Sequence, residues 1–298
     1  MTTIDRTREH VPLSPHPELP FGERIERLGR FFSGRLGFHA VRLDDGEQVG
    51  RHADDAFPTA SVIKVGLCCA VLDLVAGGQA DLGEIVRLPP RRERVAGGGI
   101  LKQLELDRLS LRDAIELTIT LSDNVATNAL LERCDAERTN AYLAGLGLAR
   151  TRILGPVDFA CITHDLAGGI GVSTPREQTT LLTALARDEI LTPTLCAYLR
   201  GVLERQHYLD QLPRWLGWNT YAQYHARPTE LTVGNKTGEL DGIRADAGLV
   251  RRRGRGTLAV AIFTDGAKDL RETVDVEGAL AVAECSAAIA AHLLGLDA

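Results

Sequence analysis

Lysine is scarce in this chain of 298 residues. Lysine and arginine together number 34, and only four of these are lysines, namely Lys64, Lys102, Lys236 and Lys268. Arginine therefore supplies most of the positive charge. A position that keeps lysine in such a chain is a candidate for chemistry that needs a compact amine with an adjustable pKa, because arginine stays protonated.

Other absences narrow the class of protein. The formal net charge is −6, which argues against nucleic acid as the main partner. The first 20 residues contain no apolar segment of the secretory kind. No stretch approaches the roughly 18 consecutive apolar residues that span a membrane. These features predict a cytoplasmic protein that does not contact membranes; they say nothing about its oligomeric state.

The six cysteines do not have the spacing of metal ligands. They are Cys68, Cys69, Cys134, Cys161, Cys196 and Cys285, without a C-x-x-C pair. The eight histidines are also scattered, with no pair at ligand spacing. The sequence therefore predicts buried, reduced thiols and neither a metal nor a cofactor.

The order of hydrophobic patterns predicts an α+β fold. A helical pattern at residues 22–34 precedes a strand at 36–43 and a turn, and three strand-like segments and an alanine-rich helix follow residue 230. Between them, from about 79 to 215, the chain is mostly helical. We expect an antiparallel sheet flanked by helices, an α/β/α sandwich, with an inserted all-helical lobe. The predicted boundaries are an arm at 1–20, a sandwich lobe at 21–78 and 228–298, and a helical lobe at 79–227.

Two of the four lysines lie in short motifs that suggest chemistry. Ser61 and Lys64 are three residues apart, which on a helix brings both side chains to one face within hydrogen-bonding reach. A serine hydroxyl needs a neighbouring base to become a nucleophile, and a desolvated lysine near another cation can be that base. Alone, this pair also fits a helix start with an ordinary surface lysine.

The second lysine motif is Lys236–Gly238 (Lys-Thr-Gly), which we expect at the end of a strand. Lys236 can supply positive potential, Thr237 can donate to a substrate carboxylate, and Gly238 leaves room for substrate beside the strand. Between the two lysine motifs lies Ser122–Asn124 (Ser-Asp-Asn), between two predicted helices. It supplies a second hydroxyl and an amide, although the same residues also suit a helix cap.

The three motifs in this order resemble those of the β-lactamase and penicillin-binding serine hydrolase superfamily, S-x-x-K, S-D-N and K-T-G. The resemblance is to class A-type β-lactamases and covers roughly residues 22–295. It implies a sandwich lobe and a helical lobe with the active site at their junction. It also implies a serine hydrolase that forms an acyl-enzyme on Ser61 and hydrolyses a β-lactam or a related small cyclic amide or ester.

The resemblance assigns a role to each matching position. Lys64 would be the base for Ser61, Ser122 would protonate the leaving group, and Lys236 would stabilise negative charge. Substrate would be bound by Asn124, Thr237 and Gly238, with the backbone N–H groups of Ser61 and Glu239 as the oxyanion hole. Arg244 is a candidate second anchor for a carboxylate, although a surface arginine on a strand is the alternative.

The sequence departs from the class A pattern in the loop after the S-D-N motif. Class A enzymes carry there a glutamate that activates water for deacylation, whereas residues 155–162 contain none; Asp158 is the nearest carboxylate, with His164 and Asp165 further along. Glu239 adds a negative charge after K-T-G that would disfavour anionic substrates. Ile115 occupies the place of a cysteine that many β-lactamases pair with the position of Cys68, so that disulfide cannot form.

These departures leave three hypotheses open. The first is the serine hydrolase just described. The second is a cytosolic esterase, D-amino-acid peptidase or acyltransferase that uses the same residues. The third is a binding protein that traps a ligand covalently without turnover, which the missing glutamate favours.

Overall fold

The computed structural model describes residues 13, 15–158, 170–218 and 229–296. Its α-helices are α1 (Phe21–Phe31), α2 (Lys64–Ala76), α3 (Leu111–Thr120), α4 (Asn124–Arg133), α5 (Ala136–Gly145), α6 (Pro175–Ala186), α7 (Pro193–Glu204) and α8 (Glu277–Leu294). Its strands are β1 (Arg35–Arg42), β2 (Gln48–Arg51), β3 (Phe57–Pro58), β4 (Ile85–Arg87), β5 (Arg108–Ser110), β6 (Arg152–Ile153), β7 (Gly171–Ser173), β8 (Leu231–Leu240), β9 (Ile243–Arg252) and β10 (Gly256–Asp265).

The main sheet joins both ends of the chain, as the sequence predicts. Its five antiparallel strands lie in the order β2-β1-β10-β9-β8, so β1 pairs with β10 although about 220 residues of sequence separate them. Helices α1 and α8 pack together on one face, and α6 packs against β1 and β10 on the other. The structure is therefore the expected α+β sandwich, and α6 belongs to its layers although it lies within the middle segment of the chain. The predicted lobe boundaries stay predictions.

Strand alternation separates two hydrophobic cores. Along β10, Ala259, Ala261 and Phe263 join one core with α2, α3, α4 and α7. The intervening Leu258, Val260 and Ile262 join the other core with α1 and α8. Because successive side chains of a strand point to opposite faces, one apolar segment can serve both cores.

Helix α8 would be long and apolar enough to cross a membrane, but 78% of it is buried in the protein, as expected of a core helix.

Helix α2 runs through the larger core. Nine of its 13 residues are buried, including Lys64 at its first position. Because residues 65–72 are buried on every side of the helix, they form a continuous apolar run, and the first charged residue after Lys64 is the exposed Asp73. It ends at Gly77, followed by Gly78 with a φ of +68°, a left-handed conformation that glycine adopts without strain.

The five described cysteines are buried free thiols, as predicted; Cys161 lies outside the described residues.

One strand boundary differs from the prediction. The sequence suggests that a strand ends at Asn235, with Lys236–Gly238 at its end, but β8 continues to Leu240 and pairs with β9 along its whole length. The turn is formed by Asp241 and Gly242, where Gly242 has a φ of +69°. The Lys-Thr-Gly motif is thus held rigidly within the ladder.

Candidate active site

Ser61 lies in a short 3-10 turn at the entry to α2, not in the α-helix itself. The turn spans Ala60–Ile63, and Ala60 has a φ of +43°, a strained conformation for a residue other than glycine. Gly238 on β8 lies directly against this turn. A methyl group on Gly238 would approach the Thr59 carbonyl oxygen to 2.5 Å and the Ser61 nitrogen to 3.1 Å. Glycine is therefore required so that the serine turn can contact the strand edge.

Lys64 is fully buried and its amine has three oxygen acceptors. Its Nζ donates to the backbone oxygen of Ser122 at 2.7 Å, to Ser122 Oγ at 3.1 Å and to Asn124 Oδ1 at 2.8 Å. Burial, with the nearby Lys236 charge as a further cause, holds the pKa of Lys64 well below that of an ordinary lysine. Among the described residues, no hydrogen bond joins Lys64 to the Ser61 hydroxyl; the amine connects Ser122 and Asn124 instead.

Ser122 and Asn124 reach Lys64 because their backbone is distorted between α3 and α4. Ser122 has a φ of +53°, and its carbonyl points to the lysine. Asn124 begins α4, and its Nδ2 donates to the Ala96 carbonyl at 3.1 Å, which leaves Oδ1 directed at Lys64. The helix cap is Asp123, as the local sequence predicts.

Asp123 also organises a glycine-rich loop that the sequence analysis overlooks. Its Oδ1 accepts from the N–H groups of Val125 and Ala126, and its Oδ2 accepts from those of Ile100 and Leu101 at 2.7 and 2.8 Å. The buried carboxylate therefore ties the loop around 97–101 to the start of α4. The Gly97-Gly98-Gly99 run was the available signal, since Gly99 has a φ of +102° and packs directly on Asp123.

Lys236 is the second fully buried lysine at the site. Its Nζ donates to the Thr237 carbonyl at 2.7 Å. Burial lowers the pKa of Lys236 to about 7, while the carboxylate of Asp246 on β9 acts in the opposite direction. Asp246 is itself fully buried, which raises its pKa, and it accepts hydrogen bonds from Asn235 Nδ2 and the Leu212 N–H. Two opposed effects therefore set the pKa of Lys236: desolvation lowers it, and the nearby carboxylate of Asp246 raises it.

Glu239 and Arg244 face each other across the β8–β9 hairpin. An ion pair of 2.6 Å joins Glu239 Oε1 to an Arg244 nitrogen, with the glutamate exposed and the arginine buried. Arg244 also donates to the Leu240 and Ile243 carbonyls at 2.8 Å. Arg244 is therefore buried, and the alternative interpretation of a surface arginine on a strand is wrong. Both residues line the cleft, as does Thr237, and their roles toward substrate stay predictions.

The loop after α5 presents Val157 to the cleft. Asn128 on α4 holds both backbone groups of Val157: the Val157 N–H donates to Asn128 Oδ1 at 2.8 Å, and Asn128 Nδ2 donates to the Val157 carbonyl at 3.0 Å. The valine side chain is 4% exposed and lines the cleft. The next residue, Asp158, is exposed and is not among the described lining residues. His164 and Asp165, the lesser candidates, lie outside the described residues.

The cleft at this site has a volume of about 880 Å³. Ser61, Ser122, Asn124 and Thr237 line its inner part. The sequence analysis named Glu239 but missed the other residues that build its outer part, at 207–211, 240–243 and 269–274. No cluster of three or more His, Cys, Asp or Glu side chains arranged for a metal occurs in the described part of the chain. The arrangement is suited to acyl transfer: a hydroxyl at a tight turn, a buried amine with a lowered pKa, a second hydroxyl and a second cation.

Comparison with known proteins gives a consistent result. Residues 20–293 match the model of the beta-lactamase enzyme family. Beta-lactamase AST-1 of Nocardia asteroides is 30% identical over 267 residues, covering 81% of this chain and 74% of that protein. An imipenem-hydrolyzing beta-lactamase of Enterobacter cloacae is 26% identical, covering 81% and 80%. Among solved structures, a beta-lactamase from Sphaerobacter thermophilus superposes with a TM-score of 0.79 at 25% identity, covering 92% of this chain and 96% of that one.

Proposed function

Because the chain belongs to the beta-lactamase enzyme family, we propose that it is a serine hydrolase that opens a β-lactam or a related small cyclic amide or ester through an acyl-enzyme on Ser61. The observation that carries this proposal is the buried amine of Lys64, which directly follows the serine turn at the start of α2 and contacts both Ser122 and Asn124. A lysine whose pKa is lowered can be neutral at physiological pH and can therefore accept a proton.

In the acylation step, the Ser61 hydroxyl gives its proton to Lys64 while Oγ forms a bond to the substrate carbonyl carbon. The negative oxygen that results is stabilised by the backbone N–H groups of Ser61 and Glu239, each worth roughly a 100- to 1,000-fold rate factor. The C–N bond then breaks, and the leaving nitrogen takes a proton from Ser122. Ser122 is replenished from the Lys64 amine, 3.1 Å away.

The remaining residues bind substrate. Asn124 holds the amide carbonyl of a substrate side chain, and Thr237 donates to a substrate carboxylate beside Lys236. Arg244 acts as a carboxylate anchor only in part, because Glu239 already neutralises it at 2.6 Å. We propose a soluble small-molecule substrate and cytoplasmic location, with neither nucleic acid nor membrane as a partner.

Deacylation is the slow step in this proposal. Water must attack the Ser61 ester, and a positioned base normally contributes about 10²–10⁴ to such a step. Among the described residues of this loop, Val157 lines the cleft, and its side chain has no basic group. This observation favours a long-lived acyl-enzyme, as the hypothesis of a binding protein that traps its ligand covalently requires. The other alternative is an esterase, D-amino-acid peptidase or acyltransferase that uses the same residues.

The test is time-resolved intact-protein mass spectrometry with a chromogenic cephalosporin. Wild type should gain the mass of one acyl group and Ser61→Ala none, with unchanged thermal unfolding of the variant. Persistent adduct with little colour development would identify a slow-turnover or trapping protein, and fast colour development with little adduct an efficient β-lactamase. Equal activity of wild type and Ser61→Ala would refute the assignment of the nucleophile.

A further inference from the structure

The catalytic residues occupy only the inner part of the cleft. Its outer part is formed by the segment 207–211, the β8–β9 turn at 239–242 and the loop 269–274. We refer to the described residues of these three segments as the outer cleft. The part of a substrate that extends beyond the inner cleft would contact this wall, and the charge of the wall would then discriminate among substrates.

The outer cleft carries an excess of negative charge. Five carboxylates line it, at Asp210, Glu239, Asp241, Asp269 and Glu272. Two are neutralised by lining arginines: Glu239 pairs with Arg244 at 2.6 Å, and Asp269 pairs with Arg271 at 2.7 Å. The other three, Asp210, Asp241 and Glu272, have no ion pair with the described residues, and neither Asp241 nor Glu272 is buried.

An aromatic ring lies in the same wall. Tyr208 is 40% exposed, lines the cleft, and its hydroxyl donates to the Leu121 carbonyl at 3.3 Å, which fixes the ring. Burial and the nearby carboxylates of Glu239, Asp123 and Asp210 raise the pKa of Tyr208, so the ring lies in a region of negative potential. Aromatic faces combined with carboxylates form a favourable environment for an ammonium group.

The wall also contains a polar group without a partner. Gln211 lines the cleft and is 1% exposed, and its Oε1 receives no hydrogen bond from the described residues. A buried amide oxygen without a donor is costly, typically about 1–3 kcal/mol, and is uncommon in folded proteins. A substrate N–H group that reached this oxygen would satisfy it.

We infer that the outer cleft selects substrates that carry an ammonium group in addition to the carboxylate held near Thr237. The preferred substrate class is therefore zwitterionic amides, and doubly anionic ones are disfavoured. This inference rests on the proposed acylation of Ser61. For three carboxylates placed one Debye length from the substrate charge, about 8 Å at physiological salt, Coulomb's law gives roughly a three- to tenfold difference between a cation and an anion at the same position.

Three penicillins test the inference, because they differ only at one carbon of the side chain. Ampicillin carries an amine there, penicillin G a hydrogen and carbenicillin a carboxylate. The second-order acylation rate is measured by intact mass at a pH where the amine is protonated. We expect ampicillin to exceed carbenicillin by more than threefold, with penicillin G between them, and the ratio to shrink in high salt.

The matched variants separate charge from general damage. In the double variant Asp241→Asn/Glu272→Gln, the ratio of the acylation rates for ampicillin and carbenicillin should fall at least twofold. It should approach the ratio expected from the intrinsic reactivities of the two penicillins. The control double variant Glu26→Gln/Asp107→Asn removes two exposed acids that do not line the cleft and should keep the wild-type ratio. A ratio that is the same in wild type and in the cleft variant would overturn the inference while leaving the proposed function intact. Failure of all three penicillins to acylate Ser61 would overturn both.

Discussion

Replacing Val157 with glutamate should convert slow deacylation into fast deacylation. Val157 lines the cleft with 4% exposure, and Asn128 fixes its backbone through hydrogen bonds of 2.8 and 3.0 Å. A side chain at this position therefore leaves a rigid backbone and enters the wall that contains Ser61. A carboxylate there would be available to deprotonate the water that attacks the ester.

The expected gain follows from what a positioned base contributes. General-base catalysis is worth about 10²–10⁴, so Val157→Glu should accelerate deacylation by at least ~100-fold. The larger side chain must displace neighbours in a packed wall, so we expect a loss of about 1–3 kcal/mol in the free energy of unfolding.

The assay follows decay of the penicillin G adduct by intact mass after excess penicillin is removed. Val157→Gln has nearly the same shape without a base and should keep the slow decay of wild type. Adding Asn128→Ala to Val157→Glu frees the loop and should remove most of the gain. Asp158→Asn should leave wild-type decay within about twofold, because Asp158 is exposed and is not among the described lining residues.

Equal decay in the glutamate and glutamine variants would refute this reasoning, because a base at position 157 would then make no difference. Arrested decay in Asp158→Asn would refute it in another way. It would identify Asp158 as the base of the natural enzyme, as the sequence alone suggested.

Three further predictions concern buried charge. Lys64→Arg should slow acylation as much as Lys64→Ala, by 100-fold or more, because guanidinium cannot accept a proton; mass spectrometry measures the rate. The cationic form of Lys236 is lost as the pH rises through about 7, so acylation by carboxylate-bearing substrates should fall above that pH in a stopped-flow pH profile. Asp246→Asn removes a negative charge that favours protonation of Lys236. This variant should therefore move the fall in acylation to lower pH. Glu284→Ala should lower the free energy of unfolding by about 3–5 kcal/mol in urea titrations, because it leaves Arg24 buried without the 2.8 Å ion pair that it now makes.

Local signals predicted most of the elements. The continuous apolar run of β10 and the helix cap at Asp123 are each local sequence patterns, and the structure confirms them. The family's fold was predictable from three short motifs for the same reason: each is a local sequence. Their roles toward substrate are tested by the experiments above and not by the fold.

Features that depend on distant partners were not predictable. The Lys-Thr-Gly strand continues because β9 offers partners as far as Ile243, which no property of residues 236–240 reveals. Val157 faces the cleft because Asn128, 29 positions earlier, clamps its backbone. From the sequence alone Asp158 was the natural candidate, since it carries the chemistry; the geometry instead gives the cleft position to its apolar neighbour.

The scarcity of lysine identified the two important amines, but not their charge states. Those states are set by non-local burial: Lys64 lies next to a second cation, whereas Lys236 has the buried carboxylate of Asp246 to favour protonation. The pair can therefore divide the work, with a neutral amine that accepts a proton and a charged one that attracts a carboxylate. With positive charge inside and acidic residues at the outer cleft, a zwitterionic substrate would enter in one orientation, its carboxylate inward and its ammonium group outward. Substrate selection and proton transfer would then depend on the same charge gradient along the cleft.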